Sequence, residues 1–320
     1  MSSVSSRVIA LVGPTAVGKT AVAIELAQRL GAEIISCDSM QVYQRMPVLS
    51  QVATPAQRAQ APHHLIECVE PTEPFSVGMY RAMASSLMHA LLERGKRVLI
   101  VGGTGLYLKA LTEGLCEAPP SDEALRERLR GECGEDGTSA LYHRLQSVDT
   151  VAASRIHPND ARRIIRALEV YVLTGKPISE WWSGAVNRQF PQPITVIGLN
   201  RERVALYRRI NERVVHMIYE DAVINEVRAL LRLPLSRTAR QVHGLGDIER
   251  YLSGQVSLKE TIAIWQQRVR HYARRQLIWF RQTPQLRWLE IPDEERPWET
   301  AQRLLDVIPA APALPVAVTI

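Results

Sequence analysis

Residues 13–20 read GPTAVGKT, set between an apolar run, Val8 to Val12, and an amphipathic run, Ala21 to Leu30. This is the pattern G-x-x-x-x-G-K-[ST] in the context that gives it meaning, a strand, a tight turn and a helix start. Gly13 and Gly18 let the backbone curl around Pro14, Thr15, Ala16 and Val17, so that successive N–H groups point inward. Those donors and the positive end of the following helix form an anion site. Lys19 adds a point charge for a terminal phosphate, and the Thr20 hydroxyl is placed for Mg²⁺. The loop therefore predicts binding of a di- or triphosphate.

Working outward, Val8–Val12 reads as a buried strand and Thr20–Leu30 as a helix closed by Gly31. Glu33–Ser36 is a second strand, ending at Cys37-Asp38-Ser39. Pro55 to Pro62 reads as loop, Val77–Arg94 as a helix, and Arg97–Val101 (RVLIV) as a third strand ending in Gly102-Gly103-Thr104-Gly105. Leu106–Leu111 starts another helix, and ITVIGL near residue 194 is a further strand. Strands alternating with helices predict an α/β fold, a parallel sheet flanked by helices as in phosphate-loop NTPases. Active residues then belong at the carboxyl ends of the strands. From 121 to 183 the pattern is helical without strand alternation, which predicts an inserted all-helical module. The predicted division is a core of 1–120 and 184–295, the insertion 121–183, and a tail 296–320. Long helical regions are expected over 201–233 and 258–281. PAAPALPVAVTI at the end reads as disordered.

The 320 residues suffice for one large or two medium domains. A 46% hydrophobic and 22% charged composition is that of an ordinary globular protein. No run reaches the ~18 apolar residues of a membrane span, and MSSVSSRVIALVG leads straight into the loop without a leader pattern. Four scattered cysteines without a CxxC pair read as reduced thiols of a cytoplasmic protein. Net charge is +6, and residues 201–290 hold 17 Lys/Arg, of which 16 are Arg, against 9 Asp/Glu. Arg favours bidentate phosphate contacts, so nucleic acid competes evenly with a solvated helix face as the reason.

A phosphate-loop ATPase carries an apolar strand ending in Asp. Here RVLIV ends in Gly-Gly-Thr, which weakens ATP hydrolysis as the task. The available strand-end carboxylate is Asp38, either a general base or a turn cap. Arg162, Arg163 and Arg166 follow a capping Asn159 or Asp160 and open a helix. Cations there oppose the helix dipole, so either an external anion or an acidic neighbour offsets them. Trp265, Tyr272 and Trp279 recur every seven residues, a stripe read as core. The histidines have no metal spacing.

GPTAVGKT, CDSMQVY (37–43), PHHL (62–65), VGGTGLYLKAL (101–111), RIHPND with RRIIRALEV (155–170) and HYARRQLIWFR (271–281) together resemble the tRNA dimethylallyltransferases, in order and spacing over residues 7 to about 290. The resemblance implies transfer of a dimethylallyl group from dimethylallyl diphosphate to the exocyclic amine of the adenosine 3′ of the anticodon, in tRNAs reading codons that begin with U. It implies that Asp38 takes the proton and that Thr15 and Arg213 help hold the diphosphate, with Mg²⁺ as cofactor. It assigns contact with the tRNA anticodon stem-loop to Asp38, Ser39, Met40, Gln41, Thr104, Arg126 and Arg162, Arg163, Ile164, Ile165, Arg166. The same assignment covers Gln241, Val242, His243, Gly244, Leu245, Gly246 and the run Arg274, Arg275, Gln276, Leu277, Ile278, Trp279, Phe280, Arg281. The zinc finger of eukaryotic members is not in the sequence, so the bacterial type is expected; a monomer is expected as well.

Departures fall outside the loop and Asp38. Residues 44–55 lack the family's usual Lys, Gly244-Leu245-Gly246 lacks an aromatic and a cation, and Val269 replaces a Thr. Two other enzymes use a similar loop, a small-molecule kinase and an adenylate isopentenyltransferase. A non-catalytic RNA-binding protein with a relict loop is the remaining alternative. The kinase leaves the Arg-rich segment unexplained, and a free-nucleotide acceptor needs no helical insertion.

Overall fold

The computed structural model describes residues 7–116, 118–132, 137–183, 193–284 and 286–308. The chain divides into two compact units, Met1–Thr112 with Phe190–Ile320, and Glu113–Gln189. The larger unit contains the strands β1 (Val8–Val12), β2 (Ala32–Ser36), β3 (His63–His64), β4 (Arg97–Gly102), β5 (Ile194–Asn200) and β6 (Arg287–Glu290). In space they run β3-β2-β4-β1-β5-β6, every pair parallel. The fold is α/β, as the alternation of elements predicts.

β1 lies inside the sheet, with Val8 opposite both Val98 and Ile194. All five of its residues are buried. Cover on both faces explains why its sequence is apolar without alternation. The chain leaves β1 toward β2 on one side and reaches β5 on the other, so the strand order switches at β1. A crevice outside the carboxyl ends of the strands is expected at such a switch.

The phosphate-loop helix is Lys19–Leu30, closed by Gly31 in the left-handed region with its N–H on the Ala27 carbonyl. Ser76 caps Val77–Glu93 through the Met79 amide. The expected helical region 201–233 is two helices, Arg203–Tyr219 and Val223–Leu230, broken where Ala222 takes a positive φ of 55°. The stretch expected as loop contains a helical turn, Pro55–Arg58, fixed by a Thr54/Gln57 capping box. Leu258–Arg281 runs 24 residues behind a Ser257/Glu260 capping box.

Within the expected tail, Pro297–Val307 is a helix that buries Thr300, Ala301 and Leu304 and packs on the phosphate-loop helix. The Pro/Ala-rich end expected to be disordered, 309–320, lies outside the described residues. Edge strands β3 and β6 are not anticipated. One has two residues, and the other, RWLE, has no buried face.

The smaller unit is helical: Glu123–Gly131, Ser139–Val148, Thr150–Arg155, Ala161–Thr174 and Ile178–Ser183. Leu125, Leu129, Leu141, Leu145, Ile164 and Leu168 form its own core. The buried Asp149 caps the third helix through the Ala152 amide and accepts from the Ser179 amide as well.

Candidate active site

Three strand ends converge. β1 passes into residues 13–18. Gly13 has φ 148°, and a Cβ on it would lie 2.4 Å from the Leu199 carbonyl oxygen of β5, so only glycine fits. Lys19 Nζ donates back to the Gly13 and Pro14 carbonyls at 3.0 and 2.8 Å. Burial lowers its pKa to about 8, with Asp38 opposing and Arg213 adding to the shift.

Three arginines grip the loop. Arg213 Nη2 donates to Thr15 Oγ1 at 2.7 Å, Arg209 Nε to the Ala16 carbonyl at 3.1 Å, and Arg201 Nε to the Val17 carbonyl at 2.9 Å. Burial draws the Arg213 pKa down to about 10, Asp38 opposing, so it stays cationic at neutral pH. Its Nε is buried without a hydrogen bond. The sequence reading names only Arg213. Arg209 and Arg213 stand four apart on one helix, and that spacing was the signal for the second cation.

β2 continues into Cys37-Asp38-Ser39. The Cys37 amide donates to the Val101 carbonyl, and the Thr104 amide to the Cys37 carbonyl, which ties this end to the end of β4. Thr104 Oγ1 accepts from the Ser39 amide at 3.0 Å. Asp38 Oδ1 accepts from the Met40 amide at 2.9 Å, so the turn-cap reading holds for one oxygen. Oδ2 has no hydrogen bond among the described residues. Asp38 sits close enough to influence Lys19, Arg213 and Tyr272 electrostatically. Gln41 is committed to the fold: it accepts from Ser36 Oγ and donates to the Gln51 carbonyl, both at 2.9 Å.

The long helix Leu258–Arg281 passes beside these ends. Trp265 is core, Tyr272 is partly buried and Trp279 is 36% exposed. The core reading of that stripe is therefore right for Trp265 and wrong for Trp279. A Cβ on Gly105 would lie 2.0 Å from the Trp279 indole, so the ring covers that glycine. The Tyr272 ring centroid lies 4.5 Å from that of His243. Burial, with Arg275, Arg268 and Arg213 nearby, lowers the His243 pKa to about 4. Arg274, Arg275 and Arg281 are exposed and have no ion pair among the described residues.

Burial corrects part of the tRNA-facing set. Ile164, Ile165, Val242, Leu245 and Phe280 are core side chains, and Gln276 is buried and bonded inward. Their helices and turns carry neighbours to the surface, but these side chains do not reach it. In the smaller unit Arg126 and Arg166 share the fully buried Glu169, whose carboxylate accepts from Arg126 Nη2 at 3.0 Å, Arg166 Nη1 at 2.6 Å and the Asp122 amide at 2.7 Å. Asp160 caps the Arg163 amide. Acidic neighbours thus offset this basic helix start, while Arg162 and Arg163 stay exposed.

The divergent stretch 44–55 folds on its own terms. Its turn Pro47–Ser50 presents the Val48 and Leu49 amides to Glu226 Oε2 and Oε1 at 2.9 and 2.8 Å. Burial raises the Glu226 pKa, those two bonds opposing.

Among the described residues no group of three or more His, Cys, Asp or Glu could hold a metal by itself. Thr20 lines a small cavity with Ser36 and Gln41. Such neutral oxygens suit a hard cation whose remaining ligands are water and phosphate. No described helix is long and apolar enough to cross a membrane.

Residues 41–283 match the family model described as IPP transferase, and residues 6–61 one described as isopentenyl transferase. The chain is 45% identical to a tRNA dimethylallyltransferase of Geobacillus thermodenitrificans over 91% of its length and 93% of the relative's. It is 44% identical to one of Syntrophobacter fumaroxidans over 89% and 84%. Among solved structures it resembles a tRNA isopentenylpyrophosphate transferase from Bacillus halodurans (TM-score 0.69, 37% identity, 94% and 95% covered). It also resembles a eukaryotic dimethylallyltransferase acting on tRNA (TM-score 0.79, 26% identity, 94% and 77% covered).

Proposed function

The chain belongs to the IPP transferase family and is a tRNA-modifying prenyltransferase; on that premise we propose how its residues divide the work. The donor is dimethylallyl diphosphate. The acceptor is the N6 amine of the adenosine immediately 3′ of the anticodon, in tRNAs that read codons beginning with U. The new bond joins N6 to C1 of the dimethylallyl group, the C1–O bond to diphosphate breaks, and the leaving oxygen keeps the electron pair.

The loop amides of residues 17–20, Lys19 and Arg213 bind the diphosphate and stabilise the charge that grows on it as it leaves. Thr15 passes the Arg213 guanidinium into register through its hydroxyl. Mg²⁺ would be held by Thr20 together with the phosphates and would supply further charge neutralisation. The adenine must leave its stack to reach the crevice. An exocyclic adenine amine has its lone pair delocalised into the ring, so it needs a base close by. Asp38 takes its proton through Oδ2, because Oδ1 is fixed by the Met40 amide. Exposed Arg274, Arg275 and Arg281, and in the smaller unit Arg162 and Arg163, contact tRNA phosphates, and Trp279 offers a stacking face beside Gly105. The protein acts as a monomer.

The observation that carries this reading is Asp38 at a strand end, with one oxygen unspent and two buried cations nearby. The test is incubation with labelled dimethylallyl diphosphate, Mg²⁺ and bulk tRNA, followed by nucleoside analysis. Label in N6-dimethylallyladenosine is expected. Asp38→Asn should cut kcat by ~10²–10⁴-fold, the usual contribution of a positioned base. Label transferred to free AMP but not to tRNA would move the reading to an adenylate isopentenyltransferase. Binding of ATP without binding of the isoprenoid would move it to a kinase.

A further inference from the structure

Gln276 lies on the stretch of helix that the sequence reading directs toward tRNA, yet it is 5% exposed and faces the opposite way. Its Oε1 accepts from the Thr15 amide and its Nε2 donates to the Gly103 carbonyl, each at 2.8 Å. Thr15 belongs to the phosphate loop at the end of β1, and Gly103 to the loop at the end of β4. The adjacent Thr104 fixes Ser39, next to Asp38. The contact at Gly103 is close, since a Cβ there would lie 2.2 Å from Gln276 Nε2.

We propose that Gln276 is a positioning residue for catalysis: one amide side chain locks the donor loop to the end of β4, whose Thr104 fixes Ser39 beside the base, and so sets the separation of loop and base. This rests on the prenyltransferase reading above. A side-chain amide carries an acceptor and a donor on two separate atoms, and the Thr15 N–H and the Gly103 carbonyl use one each. The same Thr15 is held through its hydroxyl by Arg213. Loss of the amide bond therefore loosens the residue on which that diphosphate-binding cation rests. Because Gln276 shares its helix with exposed Arg274 and Arg275, the strut also joins an RNA-facing surface to the donor loop.

Gln276→Met keeps the volume and removes both bonds. Gln276→Glu keeps the acceptor for Thr15 but sets a carboxylate against the Gly103 oxygen. For both, with the full-length protein, kcat should fall ~10–10²-fold, as misplacement by about 1 Å does. The dissociation constant for unmodified tRNA should stay within about twofold, and the donor KM should rise less than kcat falls. Gly103→Ala should mimic Gln276→Met by displacing the amide, and should cost little more in the Gln276→Met background. Unchanged kcat with weakened tRNA binding in Gln276→Met would overturn the proposal and return Gln276 to the RNA contacts. Equal additive losses in the double variant would overturn it too. If the wild-type protein itself transfers no dimethylallyl group to tRNA, the reading beneath fails instead, and the two failures are told apart.

Discussion

Lys19 shows how a single residue links burial to ligand charge. Its ammonium is wrapped by its own loop carbonyls, and burial holds its pKa near 8. A diphosphate favours the protonated form and raises that pKa. Binding above pH 8 must therefore take up a proton. Donor affinity should be flat below about pH 7.5 and weaken up to tenfold per pH unit above pH 8, read by calorimetry in two buffers of different ionisation enthalpy. Lys19→Ala should weaken donor binding and flatten this dependence. His243 carries the opposite consequence for stability. Its folded pKa, about 4, lies below the unfolded value near 6.5, so the unfolded chain binds the extra proton between them. Stability is thus intact above pH 6.5 and falls as pH drops toward 4, by on the order of 2–3 kcal/mol. His243→Phe should remove much of that acid-side loss in denaturant titrations at pH 5.

At the scale of elements, the smaller unit hangs two exposed arginines, Arg162 and Arg163, and Arg166 on a single helix, Ala161–Thr174, which Glu169 ties to Arg126 of Glu123–Gly131. Glu169 there is fully buried and paired on both sides. Removing one partner of a buried pair costs several kcal/mol because the other charges stay behind. Glu169→Ala should therefore lower the unfolding midpoint and weaken tRNA binding. Arg162→Ala should leave stability unchanged and reduce the salt slope of tRNA binding by about one.

The sequence made the inner strands and the loop plain, because a parallel strand covered on both faces must be apolar throughout. The long helix was equally plain, since its helical pattern runs from 258 to 281. Ala222, which splits the helices after β5, carried no such mark, because nothing about an alanine signals a left-handed turn. Glu169 was hidden for another reason. Its role depends on Asp122 and Arg126, which lie more than 40 positions earlier, and spacing along the chain does not report such pairings. Gln276 looked like one polar residue in a basic run, and only burial distinguishes it from its neighbours.

The basic excess looks different once the whole molecule is seen. Of the arginines between 201 and 290, Arg201, Arg209 and Arg213 turn inward to the loop, while Arg208, Arg240 and Arg268 pair with Asp293, Glu249 and Asp247. Net charge therefore overstates the cations left for RNA. Affinity for tRNA should fall with rising salt, with Arg274→Ala and Arg281→Ala each flattening the slope while donor binding holds. The C-terminal helix Pro297–Val307 closes the back of the phosphate-loop helix. Truncation after residue 296 uncovers that face and loses the burial of Leu304, about 1.5–3 kcal/mol. A lower melting temperature is expected, with part of the loss recovered on adding donor.

Glu226 gives the divergent stretch a dependency that reaches beyond it. Its two oxygens cap a helical turn from a helix almost 180 positions away. A chimaera in which residues 44–55 were transplanted from a relative would strand a half-buried carboxylate unless the donor segment offered two amides at the same places. The stretch and Glu226 thus form an inheritance unit, and grafts designed to alter acceptor choice must move both together.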